Sequence, residues 1–200
     1  MNQTNSDLKT YPKIGVCGLD CGLCPKYYTE GTSRCPGCGG PNFLNKHPSC
    51  SFITCCVKKK DLEVCSDCSN FPCSKFKSEE DIRQFEGSSS YPPYKKIMLN
   101  LNYIKEYGIE NFILKQKRRI RILEKLIQDF DDGRSRSFFC KATALLDINN
   151  LEYSLIKAFQ IVKSEKIGST NTKAKAKILK GILNESALKE GIVLTKNKKA

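Results

Sequence analysis

The sequence lacks several features that would place it in a common functional class. It has one histidine, His47, and no paired-carboxylate motif, so we do not expect the histidine-rich zinc chemistry of hydrolases. No stretch approaches 18 consecutive apolar residues, which predicts that no helix spans a membrane. Residues 1–12 show no basic region followed by an apolar one, so we predict no secretory signal. These absences together favour a cytoplasmic protein without a membrane partner.

Cysteine, in contrast, is abundant and concentrated in one segment. Eleven of the twelve cysteines, together with His47, fall between Cys17 and Cys73. So dense a segment buries little apolar side chain per residue, and another interaction must hold it together. A cytosolic chain keeps its thiols reduced, and Cys-x-x-Cys pairs there more often bind metal than form structural disulfides. We therefore expect a metal-stabilised module.

The cysteine spacing predicts a first four-sulfur site. A Cys-x-x-Cys pair brings two sulfurs to one tetrahedral ion with a single tight turn, and two such pairs complete a site. The pairs Cys21/Cys24 and Cys35/Cys38 are separated by ten residues. This arrangement is typical of zinc.

A second site is built on Cys65 and Cys68, with two of three further cysteines completing it: Cys50, Cys55 and Cys73. Cys17, Cys56 and His47 remain additional candidates. Neighbouring cysteines in the chain point in different directions and rarely serve one ion, so we expect Cys56 to matter less than the others. The predicted metal ligands are Cys17, Cys21, Cys24, Cys35, Cys38, Cys50, Cys55, Cys65, Cys68 and Cys73.

An iron–sulfur cluster is the alternative to zinc, since clusters also use four thiolates. The spacing Cys17-x3-Cys21-x2-Cys24 is that of the cluster motif in radical S-adenosylmethionine enzymes. Leu23 stands where those enzymes usually place an aromatic residue, and no run of β/α units follows the motif. We predict zinc as the cofactor and keep the cluster as the alternative.

The composition changes after the cysteines and predicts a helical remainder. We assign the chain to a flexible leader (1–12), a Cys-rich metal-binding module (13–77), a short helix and linker (78–94), a helical domain (95–167), and a basic C-terminal helix and tail (168–200). Apolar residues at helical spacing predict helices near 95–107, 109–131, 137–146, 150–163 and 174–191. The predicted fold class is a small metal-stabilised Cys-rich module followed by an all-α domain, with little sheet.

The positive charge lies mostly downstream of the cysteines. The formal net charge is +13; residues 1–76 carry nine Lys/Arg and six Asp/Glu, whereas residues 171–200 carry eight and two. The longest predicted helix adds a basic cluster: Lys115, Lys117, Arg118, Arg119 and Arg121. Such a distribution favours a polyanion such as nucleic acid. A solvated lysine-rich surface gives the same pattern, and few aromatic residues lie between the cations.

Several segments carry a family resemblance: CGLDCGLCPKY (17–27), RCPGC (34–38), CSDCSNFPC (65–73), IKEYGIENFI (104–113) and DDGRSRSFFCKATALL (131–146). Through them the chain resembles the uncharacterised prokaryotic family called domain of unknown function 3795. The resemblance implies a cysteine-rich, zinc-binding module and brings no established activity.

The predicted function is that of a zinc-binding protein of unknown activity, in which a metal-stabilised module binds a protein or nucleic-acid partner. The alternative is an enzyme with an iron–sulfur centre of the radical S-adenosylmethionine kind. A Cys-ligated zinc that supports alkyl transfer is a further enzymatic possibility, because zinc-bound thiolates are nucleophilic. Whether the protein is an enzyme stays open at this point, and so does its oligomeric state.

Overall fold

The computed structural model describes residues 8–46, 50–76 and 94–194. The chain divides into two compact units between Gln116 and Lys117. Five long helices, α1 to α5, span Tyr94–Tyr107, Ile109–Phe130, Arg136–Leu145, Ile148–Ser164 and Thr172–Lys189. The described residues contain no strand, which confirms a mostly helical fold. None of the described helices combines the length and the hydropathy that crossing a membrane requires.

The Cys-rich segment is built from short helical turns. Its 3-10 turns are Cys21–Leu23, Pro25–Tyr28, Gly31–Ser33 and Cys65–Asp67. Its other elements are the α-helical turns Phe43–Lys46 and Ser51–Ile53, the latter running into the π-helical turn Thr54–Lys58. Prolines and glycines interrupt the segment often, so longer helices cannot form through much of it.

One hydrophobic core joins this segment to α1 and the start of α2. The segment contributes Ile14, Val16 and Val64, all at most 1% exposed, and α1 contributes Ile97 and Leu101. The Cys-rich part is therefore not a separate module, because its scattered apolar residues are buried by the apolar face of α1. The division between the two units falls within α2, and the predicted short helix and linker over 78–94 lie almost wholly outside the described residues, so that boundary stays a prediction.

Residues 8–12, which we assigned to the leader, are held by specific contacts. The Lys9 side chain is fully buried, and its Nζ lies 3.0 Å from Glu63 Oε1. The backbone N–H groups of Thr10 and Tyr11 donate to the same carboxylate at 3.1 and 2.8 Å. This carboxylate therefore ties the beginning of the described chain to the segment before Cys65.

Gly18 permits a close approach between the first cysteine loop and α1. Its φ is +88°, and a Cβ at this position would lie 2.7 Å from both the Ile97 carbonyl oxygen and Leu101 Cγ. Only glycine meets both demands without strain. The loop consequently packs directly on the helix backbone.

A buried polar cluster fixes the same loop to both α1 and α2. The Asp20 carboxylate, in a residue only 6% exposed, accepts from Asn100 Nδ2 at 3.2 Å and from Gln116 Nε2 at 2.8 Å. The two amides also donate to the carbonyl oxygens of Gly18 and Lys13, at 2.9 and 3.0 Å. Because a buried carboxylate is tolerated only with such partners, the three side chains act as one unit.

In the second unit, α4 and α5 run antiparallel. Ser154 and Ser186 share a buried hydrogen bond with 3.0 Å between their Oγ atoms, and Lys157 pairs with Glu185 at 3.4 Å. The buried apolar side chains of this unit include Ile120, Leu123, Leu126, Phe130, Phe139, Leu146, Leu151, Leu179 and Leu183. The second unit thus has a core of its own.

Asp147 caps the N-terminus of α4, and its removal is expected to weaken the second unit. Its Oδ1 accepts from the Asn149 backbone N–H at 2.8 Å, and this bond is the main reason that the pKa of Asp147 is lowered. We expect Asp147→Ala to cost about 1 kcal/mol of unfolding free energy at neutral pH, and Asp147→Asn, which keeps an acceptor, to cost less.

The cost should depend on pH in a defined direction. Since the folded pKa of Asp147 lies below an unfolded value of about 3.9, the stabilisation is present above that value and is lost as the pH falls through the folded pKa. Denaturant titrations of wild type and Asp147→Ala at neutral pH and at about pH 3 measure the difference. An equal cost at both pH values would show that the carboxylate charge plays no part.

Candidate metal centre

All twelve cysteines lie in the described residues, and none forms a disulfide. Eleven of them form two adjoining sets: members of the first affect one another's thiol pKa values, and members of the second line a common cavity, with Cys17 also acting on Cys65. The first set is Cys17, Cys21, Cys24, Cys35, Cys38 and Cys50. The second set is Cys55, Cys56, Cys65, Cys68 and Cys73. The twelfth, Cys140, is fully buried in α3.

Backbone hydrogen bonds shape the turns of the first set. The Cys24 N–H donates to the Cys21 carbonyl at 3.1 Å and closes the first Cys-x-x-Cys turn. The Cys35 N–H donates to the Lys26 carbonyl at 2.9 Å, which brings the second pair back to the first. This bond places Cys35 beside the turn that follows Cys24, and the pairing of the two motifs around one ion stays a prediction.

Cys38 is placed by contacts with the chain that precedes Cys17. Its N–H donates to the Pro12 carbonyl at 2.8 Å, and its sulfur accepts from the Val16 N–H at 3.4 Å. Gly37 makes this approach possible: its φ is +88°, and a Cβ there would lie 2.4 Å from the Pro12 oxygen. A side chain at position 37 would push Cys38 away from its partners.

Other backbone groups of the first set also bond to sulfur. The backbones of Lys26 and Tyr27 hydrogen bond to Cys24, and the backbone of Leu19 does so to Cys17. A neutral thiol is a weak acceptor, whereas an ionised group makes stronger hydrogen bonds. Turns that direct N–H groups at sulfur therefore suit cysteines that bind metal as thiolates.

Burial and neighbouring sulfurs raise thiol pKa values in the first set. Burial raises the pKa of the Cys21 thiol well above its ordinary value, and four nearby sulfurs raise it further: Cys38, Cys17, Cys24 and Cys35. Burial likewise raises the pKa of Cys38 to about 12, against the lowering effect of the Val16 N–H. Because each thiolate disfavours the next, a cation among these sulfurs would relieve their mutual repulsion.

The second set repeats the turn of the first. The Cys68 N–H donates to the Cys65 carbonyl at 3.1 Å, as Cys24 does to Cys21. The Cys65 N–H donates to the Val16 carbonyl at 2.9 Å, so the two sets adjoin through one residue. The motifs Cys35–Cys38 and Cys65–Cys68 are thus both anchored on the short stretch before Cys17.

The five sulfur-bearing side chains of the second set line a cavity of about 210 Å³. Lys60, Asn70 and Lys75 contribute polar groups to its wall, and Phe71 and Phe76, with ring centroids 5.3 Å apart in a T-shaped pair, contribute an aromatic one. The cavity is the feature of this region that the cysteine spacing did not predict.

Hydrogen bonds lower the thiol pKa of two cysteines of the cavity. Lys60 Nζ donates to Cys68 Sγ at 2.9 Å, and this bond is the main reason that the pKa of Cys68 is lowered. Cys56 is 3% exposed, and its sulfur lies 3.4 Å from the Leu62 carbonyl oxygen. A hydrogen bond between Cys56 and Cys65 lowers the pKa of Cys56 and raises that of Cys65.

The sets differ in membership from the sites proposed from spacing. Cys50 influences the titration of Cys17 and Cys38 of the first set, and it does not line the cavity with Cys65. Cys56, which the spacing gave only as an additional candidate, lines that cavity. His47 lies outside the described residues.

The four-sulfur sites are not preformed around an ion. Within residues 8–46, 50–76 and 94–194, no three His, Cys, Asp or Glu side chains meet at a point that could hold a metal ion. The structure shows the grouping of the cysteines, and the metal and its ligands stay predictions.

Two cations of the basic cluster on α2 are engaged within the second unit. Arg118 forms a two-bond pair with Glu152, at 2.8 and 2.7 Å. Arg119 Nη1 donates to the carbonyl oxygens of Thr143 and Leu146 at the C-terminal end of α3, at 2.6 and 2.8 Å. The contacts of Arg119 stabilise the end of α3. Because Arg118 and Arg119 both have partners, they are less available to phosphate than the sequence predicted.

Comparison with known proteins finds a family similarity in the Cys-rich segment. Residues 13–78 match the family described as "Protein of unknown function (DUF3795)". The match confirms the resemblance drawn from the cysteine motifs, and it ends before α1. No curated protein and no solved structure matches the chain. The DUF3795 segment therefore coincides with the two cysteine sets.

Proposed function

We propose that the DUF3795 segment is a cysteine-ligated metal-binding module, with zinc in the first set, and that the rigid surface so formed binds another molecule. One observation carries the proposal: eleven cysteines are gathered into two adjoining sets by short turns that direct backbone N–H groups at sulfur. Leu or Val would fill a hydrophobic core better than cysteine does, so burial alone does not account for so many thiols.

The donor chemistry of the first set fits zinc. Zinc accepts four thiolates in a tetrahedron with Zn–S distances of about 2.3 Å and has no further geometric demand. The pairs Cys21/Cys24 and Cys35/Cys38 lie on short turns joined by backbone hydrogen bonds, so small movements of these turns would suffice to bring the sulfurs together. Zinc bound there would supply rigidity and a fixed shape.

A binding role is favoured over a radical S-adenosylmethionine enzyme. The three cysteines of that motif spacing do lie together in the first set. The part of the chain described after them, however, continues with helices and turns and offers no β/α unit. The motif thus lacks the scaffold that such chemistry uses.

A nucleic-acid partner receives less support than a protein partner. Arg118 is exposed but paired with Glu152, and Arg119 donates to backbone carbonyls, which leaves Lys117 and Arg121 as the exposed cations outside these contacts on the Lys117–Phe130 part of α2. Binding through phosphate contacts grows with the number of cations that reach the backbone, and two give a weak surface.

Metal analysis of the purified full chain tests the proposal. We expect bound zinc in the wild type and the loss of about one zinc per chain in Cys38→Ser, because a tetrahedral site loses one of its four ligands. Cys140→Ala is the matched control and should keep the full zinc content, since Cys140 lies in the core of the second unit. Wild-type protein without bound metal, or Cys38→Ser with undiminished zinc, would refute the assignment.

A further inference from the structure

The cavity of the second set has room for a cofactor of several atoms. A tetrahedral zinc ion lies about 2.3 Å from each of its four sulfurs and fills the space between them. Here the five cysteines line about 210 Å³, whereas a cavity needs roughly 10–15 Å³ to hold one water. The space fits a cofactor that thiolates hold from its periphery.

We infer that this cavity holds an iron–sulfur cluster of the four-iron type, ligated by Cys55, Cys65, Cys68 and Cys73. The inference rests on the proposal that the cysteines ligate metal, and it names the cofactor of the second set. Clusters of this type are bound by four thiolates, one to each iron, so the four ligands stand apart around the cluster. The four cysteines line the cavity from three separate parts of the chain.

The fifth cysteine of the set, Cys56, lies deeper than the other four. It is 3% exposed, belongs to the hydrophobic core of the first unit, and its sulfur lies 3.4 Å from the Leu62 carbonyl oxygen. We therefore assign Cys56 to the wall of the cavity, which leaves four sulfurs for four irons. This distinction provides a matched control within one residue of a ligand.

The charge of the wall suits an anionic cofactor. A cluster with four thiolates carries net negative charge, and hydrogen bonds to its sulfurs help to set its properties. Lys60 Nζ lies 2.9 Å from Cys68 Sγ, and Lys75 also lines the cavity. The described residues of the lining include no carboxylate. The aromatic pair Phe71 and Phe76 also lines the cavity.

The test is iron, sulfide and zinc analysis of the full chain, produced in iron-supplemented cells and purified without oxygen. We expect brown protein with about four iron and four acid-labile sulfide per chain, and a paramagnetic resonance signal after reduction with dithionite. Cys68→Ser and Cys55→Ser should lose the iron and the colour, whereas Cys56→Ser should retain both. Circular dichroism of each variant shows whether the helices remain.

Each other outcome overturns the inference in a recognisable way. Colourless wild type with about two zinc per chain would refute the cluster and leave the metal-binding proposal intact. Iron that persists in Cys68→Ser and disappears in Cys21→Ser would move the cluster to the first set. Equal loss of iron from Cys56→Ser and Cys68→Ser with intact helices would refute the four-ligand set that excludes Cys56. Protein without any metal would refute both proposals.

Discussion

Removal of the proposed metal by a chelator is expected to unfold the Cys-rich segment while α3, α4 and α5 stay folded. The segment consists of turns of three to five residues, which have little stability of their own, so binding free energy of the metal becomes folding free energy. The second unit is buried around Phe130, Phe139 and Leu151 and contains none of the eleven clustered cysteines. Its helices should therefore be indifferent to the chelator.

The behaviour of α1 provides a more specific test of this expectation. Ile97, Leu101 and Ile104 are buried against the Cys-rich segment, so α1 should lose its packing when that segment unfolds. Hydrogen exchange before and after complete metal removal measures this: we expect protection to fall in Tyr94–Tyr107 and to persist in Ile148–Ser164 and Thr172–Lys189. Restoring the metal to the same sample is the control and should restore protection.

Persistent protection of α1 in metal-free protein would mean that the shared hydrophobic core suffices. Val16, Ile53 and Val64 are each at most 1% exposed, and they are the side chains that would have to provide this stability. The metal would then serve only the chemistry or the shape of the cysteine turns.

The five long helices were predictable because their signals are local. Apolar residues at a helical period and the breaks at Gly108 and Gly133 predicted bounds within two residues of those observed. Asp147, directly before α4, is likewise a capping residue that can be read from sequence. Nothing distant needs to be known for any of these features.

The shared core was not predictable in the same way. Ile14, Val16, Ile53 and Val64 stand singly between glycines, prolines and cysteines and follow no period. Their burial depends on α1, which lies at least thirty residues further along the chain than Val64, and a separate module was therefore the prediction. Only the path of the chain shows that the apolar face of α1 covers them.

The cysteine turns were predictable, and the membership of the two sets was only partly so. Cys-x-x-Cys spacing implies a tight turn at Cys21–Cys24 and at Cys65–Cys68, and both turns are observed. Whether Cys50 joins one set or the other depends on how residues between Cys38 and Cys55 cross the unit. Spacing cannot supply that path, and it cannot show that Cys56 faces a cavity.

The charge of the basic cluster on α2 was predictable, whereas the partners of its cations were not. Its charge is plain from the sequence, but the partner of Arg118 is Glu152, and Arg119 binds carbonyls of residues more than twenty positions away. The number of cations in the sequence is therefore larger than the number that a polyanion could contact.

Removal of the Asp20 carboxylate is expected to destabilise the first unit by about 3 kcal/mol or more. Asp20→Ala leaves the amides of Asn100 and Gln116 buried without this acceptor, and hydrogen bonds to a charged group contribute roughly 1.5–3 kcal/mol each. The loop that carries Cys17 and Cys21 is tied to α1 and α2 by these same bonds. Zinc affinity should fall with stability, because the folded loop is the state that binds.

The helix α1 offers a matched pair for this experiment. Asn100 is 9% exposed and bonds to Gly18 and Asp20, whereas Asn102 on the same helix is exposed. Urea titrations should show a loss of about 1–3 kcal/mol for Asn100→Ala and less than about 0.5 kcal/mol for Asn102→Ala. In the double variant Asp20→Ala/Asn100→Ala, the combined loss should be smaller than the sum, since each single change already breaks the shared bond. Strict additivity would mean that the two side chains stabilise the unit independently, and the cluster would then not act as one clamp on the cysteine loop.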